Sequence, residues 1–211
     1  AGLEGARDLV GVWASPDHEL PRRVRRAADE ARRRGHVTFR DGSLREYARQ
    51  SELLRTLYNE AWEDTWGFVP LEREEFAGFA AAARHLLLER FGFFAEVEGE
   101  TVGFILVVPD YNRVLAGPRY RRWLPAAVPR MLAARRHLRR GRIMLLGLRR
   151  AYRGGRLLPL FMDELLRRGR EYGGEGAEAS WLLEGGLMHR ATTALGLPVT
   201  RRWRIFEGDV G

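Results

Sequence analysis

Apolar and polar residues along the chain follow two periods, and the switches between them predict a mixed order of strands and helices. Short apolar or alternating runs mark strands at His36–Arg40, Ile143–Leu148, Ala177–Leu183 and Val199–Phe206. The stretch FGFFAEVEGETVGFILVVP, Phe91–Pro109, predicts a hairpin turning at Glu98–Gly99. Helical spacing runs through Pro21–Arg34, whose apolar face of Val24, Ala27, Ala28 and Ala31 is narrow. Ser43-Leu44-Arg45-Glu46 has the spacing of a capping box, and Leu54, Leu57, Tyr58 and Ala61 continue a helical face behind it. Another helix is expected from about Leu71, with Glu72, Glu74 and Glu75 placed to suit its dipole. Further helices are predicted at Leu124–Arg140, Leu157–Tyr172 and Gly186–Leu195.

Residues 1–20 show no period, because Gly2, Gly5, Gly11 and Pro16 interrupt it. They are expected to be a linker with an apolar anchor at Leu9, Val10 and Trp13. The whole order is then β-α-α-β-β, a helical insertion between the third and fourth strands, and β-α-β-α-β. Hairpins combined with one β-α-β crossover predict an α/β sheet with parallel and antiparallel neighbours, flanked by helices. The division expected is a linker and basic helix over 1–35 and one α/β domain over 36–211.

The segment Arg142–Tyr172 carries the most chemistry. Its apolar run is interrupted by Gly147, and a glycine inside a strand marks a bulge or a close approach by a backbone or ligand. A basic turn, Arg149–Arg156, follows with the pair Gly154-Gly155, and a helix begins at Leu157. Strand, glycine-bearing turn and helix N-terminus together aim N–H groups and a dipole at an anion, and a phosphate-bearing ligand is the natural candidate. Neither GxxxxGK[ST] nor GxGxxG is present, and a plain β-α turn can also carry glycines. Both readings stay open on the pattern alone.

Composition removes several chemistries. The 211 residues suit one domain with a sizeable core and an appendage. There is no cysteine, which excludes disulfides, thiolate metal sites and a cysteine nucleophile. All 36 basic residues are arginines, so a lysine Schiff base is excluded too. The net charge of +8 and a pI near 10.7 suggest attraction to anions: nucleic acid, an acidic membrane or a polyphosphate cofactor. A solvated arginine surface would give the same charge. No RNP, helix-turn-helix or zinc-finger pattern is visible, so nucleic acid is possible but not favoured. The histidines His18, His36, His85, His137 and His189 lack metal-ligand spacing, and no metal is expected. No apolar run has the length of a membrane span and no signal-type segment is present, so a cytoplasmic place and no membrane partner are expected. The chain starts at Ala1 and is expected to be part of something longer.

The order of elements, with WGFVP at Trp66–Pro70, PDYN at Pro109–Asn112 and EASWLLEGG at Glu178–Gly186, resembles the GNAT superfamily of N-acetyltransferases over about residues 36–207. Within it the chain looks like a bacterial branch in which such a domain follows a related half, so an N-terminal half is expected to be missing. The resemblance implies that acetyl-CoA or another acyl-CoA lies between the strands Ile143–Leu148 and Ala177–Leu183. Pantetheine would pair with Leu146, Gly147 and Leu148, and pyrophosphate would sit on Arg153, Gly154, Gly155, Arg156 and Leu157. The acyl group would pass directly to an amine of a small molecule or peptide, with a general base and a backbone N–H at the oxyanion.

On that resemblance Glu184 is expected as the base, and Trp62, Trp66, Asp110, Asn112 and Glu178 as the acceptor side. Each has a plainer reading: core aromatics for the tryptophans, a side-chain-bonded turn for Asp110 and Asn112, a structural acid for Glu178 and a helix-start carboxylate for Glu184. By strand alternation Glu178 and Ser180 share a face while Trp181 points away. The sequence departs from the family where Arg156 replaces a turn glycine and Leu158 a small residue, and where Pro159 lacks an N–H; an alignment shifted by one residue onto Gly155 restores the glycine but not the rest. Gly186 stands where an asparagine is expected, and Thr192 near the place of the tyrosine acid. Two other classes therefore stand beside the enzyme: a degenerate GNAT fold that binds or scaffolds without turnover, and a basic nucleic-acid-binding module.

Overall fold

The computed structural model describes residues 2–116, 124–153 and 157–208. Its described residues form a mixed sheet of seven strands: β1 (Glu4–Ala14), β2 (Val37–Asp41), β3 (Gly92–Val97), β4 (Glu100–Pro109), β5 (Arg140–Leu148), β6 (Gly176–Leu183) and β7 (Val199–Glu207). The helices are α1 (Arg22–Arg33), α2 (Tyr47–Trp62), α3 (Arg73–Ala83), α4 (Asn112–Leu115), α5 (Leu124–Ala134), α6 (Leu157–Tyr172) and α7 (Leu187–Ala194). The strands lie in the order β2-β3-β4-β5-β6-β1-β7. Every neighbouring pair is antiparallel except β5 and β6, which α6 joins as a crossover. The expected mixed α/β sheet is present, with the helical insertion between β4 and β5.

Alternation along the hairpin divides the core between two faces. Phe94 and Phe104 turn to one face and pack with Leu57 of α2. Phe93 and Ile105 turn to the other, where Phe161 of α6 stacks on Phe93 with ring centroids 5.8 Å apart. α6 buries Leu157, Phe161, Glu164, Leu165 and Arg168, a stripe at three- and four-residue spacing. Glu164 is buried in that stripe as an ion. Burial alone would raise its pKa, but hydrogen bonds from Arg167 at 2.6 Å and Arg168 at 2.7 Å outweigh this and hold the carboxyl below its ordinary range. Arg168 in turn meets Asp41 at 2.6 Å and lies 4.3 Å above the Phe93 ring, so the buried charge has no loose end.

Two expectations are corrected. The linker expected over residues 1–20 contains the strand β1, which pairs with β6 on one side and β7 on the other. Val10, Gly11 and Val12 are all buried, so this central strand shows no alternation. Gly11 is no breaker here: a Cβ on it would stand 3.0 Å from the Trp203 ring, so the glycine admits the β7 side chain. The capping box is also absent. α2 begins at Tyr47, Ser43 Oγ accepts from the Arg45 N–H at 3.2 Å, and Gln50 Oε1 accepts from the Ser43 N–H at 2.7 Å. A turn sealed by a buried glutamine replaces the first helical turn.

Candidate functional site

β5 and β6 begin as a parallel pair and then part. Arg140, Gly141, Arg142 and Ile143 face Gly176, Ala177, Glu178 and Ala179, and the pairing ends there. Each strand carries a bulge at that level. In β5, Ile143 faces Val107 and Leu145 faces Leu106, which leaves Met144 as the extra residue. In β6, Ala179 faces Val12 and Leu182 faces Val10, so Ser180 and Trp181 together oppose Gly11. Trp181 has φ 61°, a left-handed conformation that a bulky side chain rarely adopts. Bulges bend a strand and increase its twist, and two of them side by side account for the parting.

The parting opens a cleft, part of it open to solvent. Ile143, Met144 and Leu146 line it from β5, and Ala179, Ser180 and Leu182 from β6. Leu158 and Met162 of α6 and Met188 of α7 cover it, and Trp62 of α2 closes one side. Among the described residues its polar side chains are Trp62, Ser180 and Thr192. Thr192 Oγ1 donates within its own helix, to Met188 O at 2.9 Å. Ser180 is different: its hydroxyl donates to Glu178 Oε1, and its oxygen accepts from Arg142 at 2.8 Å. Arg142 also reaches Glu178 at 3.1 Å, and Arg201 of β7 lies 3.6 Å from the other carboxylate oxygen. Ser180 therefore links the cleft wall to a carboxylate behind it.

The residues expected at a cofactor fall into two groups. Leu146, Gly147 and Leu148 lie on the part of β5 that β6 has left, as the resemblance requires. Two of their carbonyls already accept side-chain bonds: Trp62 Nε1–H donates to Leu146 O at 3.3 Å, and Arg153 Nε–H to Leu148 O at 3.3 Å. Gly147 serves packing. A Cβ there would stand 2.5 Å from the Phe104 ring and 3.0 Å from Ala61, so the glycine lets α2 settle on the sheet. Arg153 also bonds Glu60 O and meets Asp64 at 3.3 Å, which ties the turn to the end of α2. Leu157 is buried at the start of α6. Gly154, Gly155 and Arg156 lie outside the described residues.

Of the residues expected on the acceptor side, Trp62 lines the cleft, stacked on Tyr58 with centroids 5.5 Å apart. Burial pushes the Tyr58 phenol up, so it stays protonated at neutral pH. Trp66 is 49% exposed, under the Arg7 guanidinium at 5.6 Å. Asp110 and Asn112 sit at the far end of β4, where the Asp110 N–H donates to Arg140 O at 2.8 Å, beside the closed half of the seam. Glu184 follows β6 and pairs with Arg202 of β7 outside the cleft wall. Sequence reading did not assign Ser180, Met144 or Arg142 to the site. The shared face of Glu178 and Ser180 was the available signal.

No family model matches this chain. Among curated proteins it is similar to the bacterial ceramide synthase of Caulobacter vibrioides, 28% identical over 119 residues, covering 54% of this chain and 30% of that protein. It is also similar to Protein YghO of Escherichia coli, 25% identical over 218 residues, covering 99% of this chain and 55% of that one. The chain thus spans from under a third to about half the length of these relatives. Among solved structures, a GCN5-related N-acetyltransferase from Sphaerobacter thermophilus superposes with TM-score 0.57 at 17% identity, over 97% of this chain and 52% of that one. The chain has the GNAT fold, and the cleft opens between the two strands, Ile143–Leu148 and Ala177–Leu183, that the resemblance named.

Proposed function

We propose that the cleft binds an acyl-CoA and that the chain transfers the acyl group directly to an amine. The observation that carries the reading is the seam itself: β5 leaves β6 at Ile143 and offers a strand edge along an apolar cleft. A pantetheine arm is slender, partly amide and partly methylene, and fits an edge that can bond backbone to backbone while its other side is apolar. To bond there it would replace Trp62 and Arg153 at Leu146 O and Leu148 O, and Arg153 would then be free to meet the pyrophosphate. The start of α6 at Leu157, with Gly154, Gly155 and Arg156 expected beside it from the sequence, supplies the rest of the anion site in this reading. A ceramide is itself an N-acylated amine, so the name of one relative agrees with the reaction class.

The amine nitrogen attacks the thioester carbonyl, the C–N bond forms, and the C–S bond breaks to release CoA as the thiolate, which is protonated in turn from Glu178 through Ser180. The proton lost by the amine goes to Ser180 Oγ as Ser180 passes its own to Glu178, with which it is already hydrogen-bonded. We prefer this route to Glu184 because Glu178, though arginine-paired like Glu184, is hydrogen-bonded to Ser180 on the cleft wall. A second reading, binding without turnover, is favoured by one observation: the strand-edge carbonyls are already bonded within the protein. Calorimetric titration with acetyl-CoA, followed by an assay for free thiol with an amine panel, tests both. Micromolar binding with thiol release supports the enzyme, binding without release supports the second reading, and no binding refutes both.

A further inference from the structure

The sheet face under α2 and α3 holds a second recess, of about 700 Å³ and part of it open to solvent. Leu54, Phe76, Ala80, Phe94, Phe104 and Leu145 form its walls, and Phe79 stands at its rim, 57% exposed. The polar side chains around it are already bonded within the protein. Gln50 accepts from the Ser43 N–H at 2.7 Å, Glu89 from the Leu44 N–H at 2.7 Å, Ser51 donates to Ala48 O at 2.9 Å, and the Tyr47 hydroxyl donates to Ala80 O. The walls are mostly apolar and the few polar side chains sit at the edge with internal partners, which favours an alkyl chain over a sugar, base or peptide.

The recess also has a fixed relation to the cleft. Leu145 lies on its wall, while Met144 and Leu146, its neighbours on either side, lie on the wall of the cleft. β5 is thus shared, and the recess begins one residue past the bulge where the strands part. A thioester held on the freed edge of β5 would have its acyl carbon next to that residue.

We propose that this recess takes the alkyl chain of the acyl donor, so that the co-substrate is a medium- or long-chain acyl-CoA. The inference rests on the acyl-CoA reading of the cleft. Leu145 and Phe104 would guide the first methylenes past the sheet, and Phe76 and Ala80 of α3 would surround the remainder. α3 thereby sets chain length.

The test is a titration series with CoA, acetyl-CoA, octanoyl-CoA and dodecanoyl-CoA, below their critical micelle concentrations, on the unaltered protein and on Ala80→Phe and Ser51→Phe. Burying ten additional methylene groups, even incompletely, should tighten dodecanoyl-CoA by about 100-fold over acetyl-CoA. Either aromatic substitution should erase most of that gain and leave acetyl-CoA within about twofold, which also shows that the variant is folded. Equal affinity for all four ligands, or a chain-length gain that both substitutions leave intact, overturns the proposal. If CoA and acetyl-CoA fail to bind at all, the reading of the cleft falls and this inference with it. If they bind and length gives no gain, only the inference falls. Competition by dodecylamine that Ala80→Phe abolishes, with no length effect among the donors, would give the recess to the acceptor. Loss of a self-associated state in the variants, read by light scattering, would give it to a second copy of the chain. Both would overturn the assignment to the donor.

Discussion

The two halves of the β5–β6 seam are built from the same backbone and put it to different uses. Over Arg140–Ile143 the strands bond to each other, and charged side chains lock the join: Arg142 to Glu178, Arg140 to Glu175 at 2.7 Å. Over Met144–Leu148 the ladder is gone, and the carbonyls that it would have used are covered by one indole and one guanidinium. A side-chain bond can be exchanged for a ligand at small cost, because the side chain can return to water, whereas a ladder cannot be opened one rung at a time. The closed half is scaffold and the open half is exchangeable. Ser180 sits at the boundary, its hydroxyl on the open side and its partners Glu178 and Arg142 on the closed one.

That boundary is where the largest effect is expected. Glu178→Gln should lower turnover about 10²–10⁴-fold, the usual cost of losing a general base, while acetyl-CoA affinity changes a few-fold at most. Ser180→Ala should fall with it, and the double variant should be no worse than Glu178→Gln, since one relay can be lost only once. Steady-state kinetics of these variants beside Glu184→Gln decides the matter: if Glu184→Gln loses turnover and Glu178→Gln keeps it, the base is at Glu184 and the division of the seam has no catalytic meaning.

A smaller effect tests what holds the open half in place. Gly147→Val puts atoms where Phe104 and Ala61 already are, and overpacking of this kind costs about 1–3 kcal/mol in urea unfolding. Unchanged stability would show that α2 does not brace the freed strand.

The bulge in β6 should respond with the opposite sign. Trp181 is 70% exposed and left-handed, so Trp181→Gly removes strain and little buried area. A gain of about 1 kcal/mol is expected, against the usual loss on removing a tryptophan, and thermal unfolding would read it. Destabilisation would mean that the indole makes a contribution its exposure hides.

Acid should weaken the scaffold through Glu164. The Glu164 carboxyl is held below its unfolded value near 4.5, so its contribution is complete above that value and is lost as pH falls through the folded one. Urea midpoints for the unaltered protein should decline from about pH 5 downward, and less steeply in Glu164→Gln. Equal slopes would remove Glu164 from the acid response.

Much of this arrangement could be read from the chain before any coordinates. α6 spans Leu157–Tyr172 as its spacing predicts, and the hairpin turns at Glu98–Gly99. These elements declare themselves because one face is buried and the other is not. β1 failed to do so because it is covered on both sides, and its glycines are cut to fit Arg204 and Trp203 on a strand almost two hundred residues away. The site was legible only in part for a related reason. Glu178 and Ser180 share a face in any strand reading, but the bulges at Met144 and Trp181 exist only relative to β4 and β1. No local pattern shows which residue will be left over when two strands are laid together.

The place of β1 has a consequence for how the molecule is made. Glu4 pairs with Glu207 and Leu9 with Leu183, so β1 finds its partners in β6 and β7, which leave the ribosome long after it. At the usual pace of translation, about 5–20 residues per second, β1 waits roughly 10–30 s on the ribosome before β6 exists. During that time Leu9, Val10, Val12 and Trp13 form an apolar strand with two bare edges, open to chaperones or to another nascent chain. The rest of the sheet, β2 through β5, pairs in chain order and can form first, whereas β1 must thread between β6 and β7 as a late, long-range event.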